Sequence, residues 1–155
     1  MKAGTKTSLL NQQDRKERAM TMSAYLFFPG NCAEAMKFYE KVTGAKIDMM
    51  MPHAGTPMEK DIPPEWKDKI MHASLKVGDT WLMASDSPPQ YQEKFGGFAV
   101  AMEAKTPEEA ERVFKALSEG GTVKMPMEET FWAHRFGMLT DKFGVPWMVG
   151  NSKPM

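Results

Sequence analysis

Two helix starts, 75 positions apart, constrain this chain more than anything else in it. Asn31 precedes one amphipathic stretch and Thr106 precedes another; Gly44 and Gly120 end them, 76 positions apart. The first stretch repeats apolar residues at helical spacing through Ala35, Phe38, Tyr39 and Val42. The second does so through Ala110, Val113, Phe114 and Leu117. Asn31 and Thr106 are capping residues, with Glu34 and Glu109 at the capping-box positions and Pro107 in the first turn of the second helix. Each helix follows one apolar strand (21–28 and 97–103) and precedes three more (45–51, 70–77 and 80–86; 122–127, 131–140 and 145–150). A spacing this regular describes one β-α-β-β-β module used twice. The fold class is therefore α+β. Two four-stranded modules, each with a helix on its outer face, can set their inner faces around a shared cavity.

The hairpin of the first module shows which face is which. Its turn is Gly78-Asp79. Counting outward sets Lys76 opposite Trp81, Ser74 opposite Met83 and His72 opposite Ser85, and residues directly opposite share a face. Met71, Ala73, Leu75, Val77, Leu82 and Ala84 fall on the other face, which is uniformly apolar and calls for a helix. The mixed face, with a histidine, two serines and a tryptophan, has the make-up of a pocket lining.

The 155 residues suffice for one domain with a sizeable core. The expected layout is a flexible extension over 1–19 and a single domain over 20–155, with modules at about 21–86 and 96–151. Twenty basic residues balance twenty acidic ones, which leaves no electrostatic footprint for nucleic acid or an anionic membrane. No apolar run has the length of a transmembrane helix, and one cysteine allows no internal disulfide, so a reducing cytoplasm is expected. Sixteen methionines suit adaptable core packing or a soft apolar cavity. The segment 53–69 holds three prolines and little periodicity. Within it, Trp66 reads as an anchor for a lid or a subunit contact, or as a ring packed on the sheet.

Several short stretches together resemble a known family. They are Pro29-Gly30-Asn31-Cys32-Ala33-Glu34-Ala35 leading into Phe38-Tyr39, His72-Ala73, Gly78-Asp79, and Leu82-Met83-Ala84-Ser85-Asp86. His134-Arg135-Phe136-Gly137, Asp141-Lys142-Phe143-Gly144 and Trp147 complete the set. With the duplicated module, they resemble the PhnB-like proteins of the vicinal oxygen chelate superfamily, which includes glyoxalase I, bleomycin-resistance proteins and extradiol dioxygenases. The resemblance implies paired βαβββ modules, a curved mixed sheet with helices outside, and a homodimer. In metal-dependent relatives the ligands lie on the first and last strand of each module. Those positions fall here on Ala24, Met83, Phe98 and Met148, none of which is a divalent-metal ligand. The expectation is a protein without a metal cofactor. Some PhnB-like proteins are labelled ubiquinone-pathway methyltransferases, but no glycine-rich loop joins a strand to a helix here.

The candidate ligand-binding residues are His72, Arg135, Trp81, Met83, Ser85 and Phe98. Pairing Thr140 with Val145 across the second turn would put Arg135 on the inner face and His134 on the outer one. His72 and Arg135 would then orient a small anion between walls formed by Trp81, Met83 and Phe98. His53 is expected in solvent. Cys32, in the first turn of a helix, is a weaker candidate for a reactive thiol. Asp48, Asp79, Asp86 and Asp141 stand at strand ends and turns, where aspartate serves the backbone. The function expected is binding of a small organic ligand in a largely apolar cavity. The alternatives are a metal-dependent lyase, isomerase or dioxygenase of the glyoxalase type, and a structural dimer without a ligand site.

Overall fold

A computed structural model describes residues 20–155; the extension expected over 1–19 lies outside the described residues. The first module runs β1 (Ala24–Phe28), α1 (Cys32–Thr43), β2 (Lys46–Pro52), β3 (Ile70–Val77) and β4 (Thr80–Asp86). The second runs β5 (Val100–Glu103), α2 (Pro107–Ser118), β6 (Thr122–Glu128), β7 (Ala133–Thr140) and β8 (Pro146–Ser152). Each module forms its own mixed sheet with the same strand order, β1-β4-β3-β2 and β5-β8-β7-β6. In each the first strand pairs in parallel with the last, and the other pairs are antiparallel.

The helices cover one face of each sheet. From α1, Ala35, Met36, Tyr39 and Val42 are buried; from α2, Ala110, Val113, Phe114 and Leu117. They meet Leu26, Phe28, Ala73, Leu75, Leu82 and Ala84 in the first module, and Leu139, Trp147 and Val149 in the second, all buried. Their apolar surface, removed from water, supplies most of the driving force for folding.

The two helix starts differ in how they are closed. Thr106 Oγ1 accepts from the Glu109 amide at 3.1 Å, as its sequence position predicts. Asn31 occupies the equivalent place but makes no capping bond. Asp86, at the end of β4, takes over: its Oδ1 accepts from Cys32 N at 2.9 Å and its Oδ2 from Ile70 N at 2.8 Å. A buried carboxylate therefore ties the start of α1 to the start of β3. It also places negative charge at a helix N-terminus, where the aligned peptide dipoles favour it.

The modules meet through their helices and through the β7–β8 turn. Arg112 Nη1 of α2 donates to Val42 O near the end of α1 at 3.1 Å. Asp141 is buried and accepts four hydrogen bonds. Two come from within its turn, Phe143 N at 2.8 Å and Val145 N at 3.0 Å. The other two come from Trp147 Nε1 at 2.9 Å and, across the module boundary, from Tyr39 Oη at 2.5 Å. Burial and the neighbouring Asp141 carboxylate push the ionisation of Tyr39 far above its usual range, so the hydroxyl stays a donor. Phe143 stacks edge-on with Phe28 and Tyr39 beside this bond.

Candidate functional site

The strand register settles which residues share the uncovered faces. In the first module one row across the sheet is Tyr25–Met83–Ser74–Met49. The second module repeats that row as Ala101–Met148–Met138–Met125. The next row holds Phe27 beside Ser85 and His72 beside Met51 in the first module. Its counterpart in the second is Glu103–Gly150–Phe136–Glu128. The row on the other side carries Trp81, Lys76 and Lys46. Both inner faces are thus rich in methionine and aromatic side chains.

Four of the six expected ligand-binding residues come together. His72, Trp81, Met83 and Ser85 share the inner face of the first module. His72 Nδ1 and Tyr25 Oη are hydrogen-bonded at 3.0 Å, and their rings lie 5.7 Å apart. Lys76 Nζ stands 5.4 Å from the centre of the Trp81 ring, a cation–π contact. Ser85 is buried and Met83 half-buried.

Arg135 and Phe98 do not join them. Thr140 pairs with Pro146, not Val145, because Asp141 N bonds Val145 O and lengthens the turn by one residue. One residue of register reverses every side chain. Gly137 and Arg135 therefore face α2, where Arg135 Nε meets Glu111 at 3.0 Å. The structure does not place Arg135 near His72. Phe98 precedes β5 and stacks against Phe95 at 6.2 Å, and Phe95 in turn packs on the core. Ala24 shifts likewise. Leu26 and Phe28 turn to the core, so Tyr25 rather than Ala24 faces inward, and Ala101 does so on β5.

The remaining candidates are structural. His53 is buried, not in solvent, with Nδ1 and its own amide both 3.0 Å from Lys69 O. Trp66 packs over Gly30, close to Lys69, whose Nζ donates to Gly30 O at 2.9 Å. Burial, with the Asp86 carboxylate close by, pushes the Cys32 thiol up to about 12, the reverse of what a reactive cysteine needs.

A metal of the kind used by metal-dependent relatives does not fit the inner positions. Tyr25, Met83, Ala101 and Met148 offer no imidazole or carboxylate. Among the described residues no three His, Cys, Asp or Glu side chains gather around one point. No described helix is long and apolar enough to cross a membrane.

Sequence reasoning missed the residues around a groove of about 230 Å³ on the second inner face. Ala101, Glu103, Trp132, Phe136, Met148, Gly150 and Ser152 line it. The signal was faint but present: Glu103 is the one charged residue in the strand Val100–Glu103. Its carboxylate accepts from Ser152 N at 2.7 Å and from Ser152 Oγ at 3.0 Å.

Comparison with known proteins agrees with this architecture. A model of the Glyoxalase/Bleomycin resistance protein/Dioxygenase superfamily matches residues 21–149. Protein YjdN of Escherichia coli is 36% identical over 142 residues, covering 86% of this chain and 97% of that protein. The crystal structure of protein PA1353 from Pseudomonas aeruginosa is 45% identical, with a TM-score of 0.80, covering 88% of this chain and 100% of that one. The PhnB protein from Bacillus cereus is 25% identical with a TM-score of 0.67, covering 83% of this chain and 97% of its own. With its duplicated modules and matching profile, the chain belongs to the Glyoxalase/Bleomycin resistance protein/Dioxygenase superfamily.

Proposed function

We propose that this protein binds a small organic ligand against its inner faces and holds it without a divalent metal, nearest in function to binding and sequestration. The observation that carries the reading is the contrast between the two sides of each sheet. One side is sealed by a helix. The other leaves Phe27 55% and Trp81 36% exposed, alongside half-exposed Met49 and Met125. Apolar surface of this kind, interrupted by a few polar groups such as the His72–Tyr25 pair, suits a ligand that is itself mostly apolar.

A second copy of the chain is the partner that closes the site. The inner face of the first module carries Lys46 and Lys76, and that of the second carries Glu128 at the β6 end of its row. First module against second module would pair opposite charges around the apolar rows. Phe131, 90% exposed beside Trp132, lies at the edge of the second face where such a contact would cover it.

Sedimentation equilibrium is the test of the partner, and a thermal-shift screen of small aromatic and alkyl compounds is the test of the ligand. A dimer, together with compounds that raise the melting temperature of the wild type but not of Trp81→Ala, is the expected result. A monomer that no compound stabilises would sink the reading.

A further inference from the structure

We propose that the groove on the second module takes a cationic group: an organic ammonium seated on Trp132 and Phe136 with Glu103 as its counter-charge. The inference rests on the reading that the inner faces bind small ligands, and it names the ligand's charge.

Three features carry it. The first is the carboxylate. Ser152 fixes both oxygens of Glu103 from one side, by its amide and its hydroxyl. A carboxylate offers about four lone-pair directions, so two such bonds leave acceptor capacity toward the groove. Among the described residues no Lys or Arg forms a salt bridge with it; the ion pairs there join Arg135 to Glu111 and Lys153 to Glu129. The second feature is the aromatic wall. The rings of Trp132 and Phe136 lie 5.5 Å apart at 65°, edge to face, and Phe131 packs edge-on to Trp132 at 4.9 Å, so the groove wall is built from aromatic rings, with Trp132 still 40% exposed. The third is space. Gly150 and Ala101 floor the groove, and a Cβ on Gly150 would already lie 3.4 Å from the Phe136 ring.

An exposed carboxylate held by Ser152, an aromatic wall and a thioether from Met148 together suit a bulky, weakly hydrated cation. An inorganic divalent ion would need more oxygen donors than one carboxylate and one hydroxyl supply. A carboxylate or phosphate ligand would meet Glu103 as a like charge, and Glu128 stands at the other end of the same row. Moving Arg135 to the helix side thus reverses the charge of ligand that the sequence suggested.

The test compares three soluble probes of similar shape: benzyltrimethylammonium, benzyl alcohol and benzoate. Each is titrated into ¹⁵N-labelled full-length protein while the indole N–H signal of Trp132, identified by its loss in Trp132→Phe, is followed. The cation should bind about tenfold more tightly than the alcohol, and benzoate should bind most weakly. Glu103→Gln should bring the cation to the alcohol's level and leave the alcohol unchanged. Equal affinity for cation and alcohol, or no effect of Glu103→Gln, would overturn the cationic assignment while the small-ligand reading stands. If no probe moves the indole signal, both fall. The comparison among probes on the wild type decides the point even if the Gln variant folds poorly.

Discussion

The two modules share a blueprint and differ in what they do with it. Strand order, parallel closing pair and cross-strand rows coincide, so Met83 corresponds to Met148 and Ser74 to Met138. The side chains on those rows do not coincide. One inner face has a Tyr–His pair and two lysines; the other has a methionine row and two carboxylates. The link between the second and third strands is long and prolines interrupt it in the first module (53–69), whereas 129–132 suffices in the second. A duplicated backbone therefore fixes positions, and the chemistry placed there has diverged.

The largest break in that comparison is at the turn that only the second module has. Asp141→Ala would strand four donors, two of them side chains in the core. Urea unfolding should show a loss of about 3–5 kcal/mol. A loss below about 1 kcal/mol would mean that water replaces the carboxylate. Next comes the place where the first module has Ala73 and the second Gly137. A Cβ at 137 would stand 2.6 Å from Phe114 Cε2 and 3.1 Å from Met125 O. Gly137→Ala should cost about 2 kcal/mol through overpacking. The reverse change, Ala73→Gly, should cost about 1 kcal/mol through lost burial and chain entropy. Equal costs at the two sites would contradict the closer approach of α2.

How far the sequence could be read follows the same division. The Thr106 cap, the glycine stops and the first hairpin follow from local chemistry, and the register around Gly78-Asp79 holds as counted; the Asn31 cap does not form, because the distant Asp86 takes its place. The register of the second hairpin differs by one from a simple residue count because its turn is set by Asp141, a contact that no count of residues displays. The inward residue of β1 is hidden in the sequence for a different reason. In Tyr25-Leu26-Phe27-Phe28 every residue is apolar, so alternation is invisible until the helix shows which side is dry. The groove residues Glu103, Trp132 and Ser152 lie far apart along the chain, and the pairing of β8 with both β5 and β7 brings them together.

Two smaller effects sharpen the contrast. Thr106→Ala should lower stability by about 1 kcal/mol, while Asn31→Ala should change it by only about 0.2 kcal/mol, since Asp86 holds the first helix. Equal losses would return the cap to Asn31. Arg135→Ala should likewise cost little, about 0.3 kcal/mol, because its ion pair with Glu111 is open to solvent on both sides. The affinity of the protein for benzoate should not change with it. A weaker benzoate complex would restore the arginine to the ligand site.

The Tyr39–Asp141 bond has a consequence for how the molecule melts. Tyr39 belongs to the helix of the first half and Asp141 to the last hairpin of the second, 102 positions away along the chain. Neither half can open without exposing a buried partner of the other. A gene duplication would by itself leave two weakly coupled folding units. This hydrogen bond, with Phe143 wedged beside it, couples them, so opening of one half should draw the other with it in a single melting transition.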